Sequence, residues 1–137
     1  MLRICVIALL LGITAVAANA QSPKFDGEVE KLLQERVELL REVAKMKREM
    51  YVVGRADLLD VLAAIRLKNE AELELAATTA DRMRIREALL KDSQELEMSA
   101  KGRFEAGVTS TVEWKMAQAA RLRAQADLLL EKKAAAQ

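Results

Sequence analysis

The sequence predicts an all-α protein of long antiparallel coiled-coil helices, and three observations carry that prediction. Ala, Leu, Glu, Lys, Arg, Gln and Met dominate the chain, and these residues lose least on entering a helix. Proline occurs once, at Pro23, ahead of the region where a regular apolar pattern begins. From there apolar residues recur at mixed steps of three and four, the spacing that lines one face of a helix. One Trp, one Tyr and two Phe are too few for an ordinary globular core. Leu and Ala interleaved with charge read instead as coiled coil.

Residues 1–20 stand apart and read as a signal peptide. Arg3 gives a positive start, residues 4–16 form an apolar run, and Ala18-Asn19-Ala20 has the small-x-small form of a cleavage site. The run is shorter than the roughly 20 residues of a bilayer-spanning helix. Cys5 lies inside it rather than after the cleavage site, which speaks against a lipid anchor. Residues 21–26 are a lead-in, and 27–137 form the helical coiled-coil hairpin domain. The expected location is the periplasm or cell envelope.

Cleavage after Ala20 removes the single cysteine, and the chain has no histidine. A chain with neither has no thiol nucleophile, no imidazole base and no soft metal ligand. Carboxylates such as Glu70, Glu72, Glu74 and Asp81 alternate with Lys and Arg along solvated faces, and slender helices offer little concavity to shift their pKa values. Met46, Met50, Met83, Met98 and Met116 are scattered and read as core filler. The expectation is therefore no enzyme, no catalytic residue, no metal and no cofactor. Without Arg3 the Lys and Arg fall from 22 to 21 and match the 21 Asp and Glu, which argues against a nucleic-acid partner. Membrane association is expected only through partners.

Each helix has its own signals. Asp26 is a candidate N-cap with Glu28 and Glu30 in the favourable first turn. Leu32, Leu33, Val37, Leu39, Leu40, Val43, Met46 and Met50 then form the stripe of a first helix. Gly54 fits the left-handed position that stops it, and Asp57 is placed to cap the next. No Gly or Pro occurs between Arg55 and Lys101. The middle of the chain therefore reads as one helix of about 48 residues spanning roughly 70 Å, with Leu62, Ile65, Leu67, Leu73 and Leu75 as packing residues. Its weak points are Thr78-Thr79 and Asp92-Ser93, and a break would give four helices instead of three. Gly107 ends this helix, and Ser110-Thr111-Val112-Glu113 has the form of a capping box. The last helix offers Val112, Met116, Ala119, Leu122, Ala126 and Leu129 as a buried stripe.

The two turns resemble each other. A shift of 53 residues takes Tyr51 to Phe104, Gly54 to Gly107, Asp60 to Glu113 and Ala64 to Ala117. This reads as an internal repeat over about residues 41–75 and 97–133. The segment from Arg103 through Phe104, Gly107 and Glu113 to Ala117-Gln118 and Leu122 resembles the repeat of TolC-like outer-membrane efflux proteins. Tyr51-Val52-Val53-Gly54 and Asp60-Val61-Leu62 are similar to the same motif. The resemblance implies a helical hairpin whose aromatic-x-x-Gly turn meets an adaptor hairpin at the periplasmic mouth of a duct. It makes Tyr51, Gly54, Asp60, Phe104, Gly107 and Glu113 tip residues. The sequence carries no alternating strands with which to build that family's β-barrel, so the resemblance is to the hairpin part alone.

Trp114, beside Glu113, is a candidate interface anchor in a chain with so few aromatics. The expected partners are protein helices, either those of an efflux adaptor or those of further copies of the chain. A periplasmic helical chaperone or stress protein, and a structural coiled-coil spacer, are the alternative functions. If the middle helix is unbroken, the two turns lie at opposite ends of the molecule.

Overall fold

The computed structural model describes residues 25–137, and the expected signal peptide and most of the lead-in lie outside the described residues. Four helices account for nearly all of the described chain, and no strand occurs among the described residues: α1 (Gly27–Val52), α2 (Leu58–Leu75), α3 (Thr79–Glu105) and α4 (Thr111–Ala135). None of them is long and apolar enough to cross a membrane.

α1 starts where its cap directs. The Asp26 carboxylate accepts the backbone N–H groups of Glu28 and Val29, at 3.1 and 2.9 Å. At its far end Gly54 takes φ 74°. Its N–H donates to the Tyr51 carbonyl, and the Arg55 N–H donates to the Met50 carbonyl at 2.7 Å. These two bonds are a Schellman closure, which absorbs carbonyls that the helix end would otherwise strand. Asp57 occupies the N-cap position of α2, but its side chain makes no capping bond.

The long middle helix expected from the sequence is broken, at residues 76–78 and not near Asp92. The Thr78 hydroxyl accepts the Asp81 N–H at 3.0 Å and donates to the Asp81 carboxylate at 2.7 Å. A Thr side chain bound this way offers the backbone a stable alternative to continued helix. Asp92-Ser93 does not break α3, because the Ser93 hydroxyl donates to the Leu89 carbonyl at 2.8 Å inside the helix.

The break folds the chain into two hairpins. Arg36 pairs with Glu74, Arg41 with Glu72 and Lys47 with Asp60, so moving up α1 is moving down α2. Arg82 with Glu131 and Arg121 with Glu97 set the same antiparallel relation between α3 and α4. These two pairings are the extensive ones, and α2 touches α3 and α4 more lightly. The shared core is small-sided. Ala44, Ala64, Ala100 and Ala117 are buried with Tyr51, Leu58, Val61, Ile65 and Leu96. Small side chains at buried positions permit helix axes to pack closely.

The apolar residues divide differently from the single stripes read in the sequence. On α1 the inward side carries Val37, Ala44 and Tyr51, while Leu32, Leu39, Val43, Met46 and Met50 are exposed. On α4 the buried residues are Ala117, Ala124 and Leu128, whereas Val112, Leu122 and Leu129 face solvent. Leu67 on α2 is likewise exposed. Each outer helix has apolar residues on two faces, and the partner within the chain covers only one.

Candidate helix-docking site

The break at Thr78 brings the two glycine turns side by side, rather than to opposite ends as an unbroken helix would. Arg103, in the last turn of α3, donates from Nη1 to the Tyr51 carbonyl at 2.7 Å. Its guanidinium carbon lies 4.5 Å from the centre of the Tyr51 ring. The location of this cation has a physical reason. The last turn of α1 contains no basic residue of its own. Arg103 supplies from a neighbouring helix the positive charge that a helix C-terminus favours, and it adds a cation–π contact.

The second turn repeats the geometry of the first. Gly107 takes φ 71°, its N–H donates to the Phe104 carbonyl, and the Val108 N–H donates to the Arg103 carbonyl, both at 2.9 Å. A left-handed residue at each place explains why glycine stands in both turns. The aromatics three residues before them do different work. Tyr51 is 1 % exposed and plugs the core. Phe104 is half-buried and stacks on Trp114, with ring centres 5.2 Å apart. Stacked aromatics at such a spacing contribute beyond their buried area. The Lys115 ammonium lies over the Trp114 ring, 4.9 Å from its centre.

Glu113 lies at the centre of this region. Its backbone N–H donates to the Ser110 hydroxyl at 3.3 Å, half of the capping box expected there. Its carboxylate, instead of completing the box, accepts the Thr109 hydroxyl. Burial first, and then the adjacent Glu113 carboxylate, hold the Tyr51 phenol above its usual range, partly opposed by Arg103. The Tyr51 hydroxyl, one Glu113 oxygen and the Trp114 indole N–H are buried outside hydrogen-bond geometry. With its phenol sealed from solvent, Tyr51 is a structural residue.

Of the residues marked in the sequence, Tyr51 and Glu113 come together between the hairpins, and Phe104 and Trp114 join in one stack. Gly54 and Gly107 lie exposed at the turns. Asp60 has a different role from its counterpart Glu113, since it accepts a 2.8 Å bond from Lys47 and ties α2 to α1. Comparison with family models, with curated proteins and with solved structures finds no match. The site therefore stands on its geometry. Among the described residues no group of three or more acidic side chains could hold a metal ion.

Sequence reading missed Arg103 as the residue that joins the turns. A basic residue in the last turn of its own helix is accounted for by the macrodipole alone. No local pattern indicates that its guanidinium reaches another helix. The available signal is a mismatch, because the repeat aligns Arg103 with Met50. Val52, Val53 and Val108 surround the turns and are exposed.

Proposed function

We propose that this chain is a non-enzymatic protein of the cell envelope whose paired hairpin tips dock onto helices of a partner, in the manner of the hairpin part of a TolC-type efflux duct. The observation that supports this most is the side-by-side placement of the two aromatic-x-x-Gly turns, linked by Arg103 on the Tyr51 carbonyl. One tip presents Val52 and Val53, and the other presents Val108. Together they offer one apolar end to which both hairpins contribute. The antiparallel hairpins supercoil as coiled coils in this reading, and residues 1–20 direct export. The occupant of the tips is the helical hairpin of an efflux adaptor.

A photo-crosslinking residue at Val108, with a second at mid-helix Glu87 as control, tests the proposal in cells. The expected product is an adaptor captured from position 108 and absent from position 87. Equal capture from both, or capture of unfolded clients alone, would remove the tips as the docking site.

A further inference from the structure

We infer that copies of this chain associate laterally, with the outer face of α1 on one copy seated against the outer face of α4 on the next. The inference concerns the sides of the molecule and is independent of what docks at the tips.

On α1, Val29, Leu32, Leu39, Val43, Met46 and Met50 are all exposed. Their spacing alternates three and four, which is a coiled-coil seam, apart from one gap. Arg36 fills that gap, and its guanidinium turns away to Glu74 at 2.7 Å. The seam lies beside the one that α1 uses against α2, marked by Val37, Ala44 and Tyr51. One edge of the free seam carries Glu28, Glu35, Glu42 and Glu49 at every seventh position, all exposed.

α4 carries a counterpart with the opposite charge. Val112, Ala119, Leu122, Ala126 and Leu129 lie on the side away from α3 and are exposed. The charged residues beside them are Lys115, Arg123, Lys132 and Lys133, with no acid among them. Two of these have partners within the chain: Arg123 with Asp127 at 3.0 Å, and Lys132 with Glu87 at 3.7 Å. Both pairs are solvent-exposed at the cation, where exchange of partners costs little.

Among antiparallel contacts, charge and register select the occupant. Two α1 faces in antiparallel contact would set one glutamate row against the other, and two α4 faces would oppose cations, both unfavourable. An α1 face against an α4 face joins unlike charges. Copies standing side by side with their tips level bring α1 antiparallel to the neighbour's α4. Val53 then meets Val112, Met46 meets Ala119, Val43 meets Leu122 and Leu39 meets Ala126. The same register sets Glu35 near Lys132 and Glu49 near Lys115. Such a contact is heterologous, so it propagates from copy to copy until a ring closes or a filament grows.

Two single-cysteine variants in a Cys5→Ser background, Val43→Cys and Leu122→Cys, test this. Each is first oxidised alone, and the two are then oxidised as an equimolar mixture of folded protein. The expected result is a crosslinked dimer in the mixture at least tenfold above that from either variant alone. Dimers from Val43→Cys alone at the level of the mixture would establish α1-to-α1 pairing and overturn the inference. Absence of crosslinking from all three samples, with helical circular dichroism intact, would also overturn it. As a second arm, light scattering on the wild-type chain should give a mass above that of one copy, reduced to one copy by Leu122→Glu. An unchanged mass in that exposed-site variant would exclude the α4 face.

Discussion

Tyr51 is the only tyrosine in the chain, so its ionisation can be followed without interference. Its phenol is raised by burial and by Glu113, which fixes the sign of a pH effect. The folded state holds the proton more tightly than the unfolded chain does. The corresponding stability is fully present below the unfolded phenol value of about 10 and is lost as pH climbs through the folded value. Unfolding free energy is therefore expected to fall above about pH 10, and Tyr51→Phe should remove much of that fall. Urea unfolding across alkaline pH, with tyrosinate absorbance as the second reading, checks it. An identical alkaline loss in the Phe variant would assign the effect to other groups. At this scale the sequence located Tyr51 and Glu113 separately. It could not pair them, because residues 62 positions apart meet only once the chain has folded back on itself.

The elements were readable where a single residue type dictates the backbone, and unreadable where two signals compete. Gly54 and Gly107 announce their stops because a left-handed turn excludes side chains, and both take positive φ. Asp26 and Ser110 announce starts and both make their capping bonds. Asp57 has the right chemistry and makes none. The middle break is the instructive case. Ala76-Ala77 favours helix, and only Thr78, with Asp81 three residues on, argues for a new beginning. Helix propensity, counted residue by residue, gave a continuous rod. The cap prevails because folding back buries Val61, Ile65, Leu96 and Ala100 in one cluster, which a rod would leave in water. Thr78→Ala is expected to lower stability by about 0.5–2 kcal/mol, as N-cap losses do. Thr79→Ala, one residue inside the helix, should change it by no more than a few tenths, in line with helix propensity. Urea midpoints of the two variants measure the contrast, and equal effects would detach the break from the cap.

The whole molecule consists of two well-zipped hairpins joined by few contacts. Arg48 on α1 is the main strap. It donates to Asp92 at 2.8 Å and to Glu95 at 2.5 Å on α3, while Lys68 on α2 shares Asp92 at 2.8 Å. Arg103 is the second strap, at the tip. Hydrogen bonds to charged groups are worth about 1.5–3 kcal/mol each, and the Arg48–Glu95 pair, with the Glu95 side chain 42 % exposed, contributes less. Arg48→Ala together with Arg103→Ala should separate the cooperative unit. Native-state hydrogen exchange would then give α3 and α4 higher opening energies than α1 and α2, whereas the wild type is expected to open with one common value. Continued exchange at a single value in the double variant would show that the apolar seam alone couples the hairpins. None of this organisation was legible in the sequence, since nothing in the local pattern around Arg48, flanked by Lys45 and Lys47, tells which helix its guanidinium reaches.

The level tips restrict how such a chain can change in length. An added heptad in α3 alone would carry Arg103 about 10 Å past Tyr51 and leave α4 unable to reach its partners. The straps and both zipped pairs survive only if α1, α2, α3 and α4 grow or shrink together, a turn-for-turn match imposed on four separate stretches of sequence. Relatives of different length are then expected to differ by matched sets of insertions at equal distances from the two glycines. A protein held to that rule tolerates substitution far more easily than it tolerates an unpaired deletion.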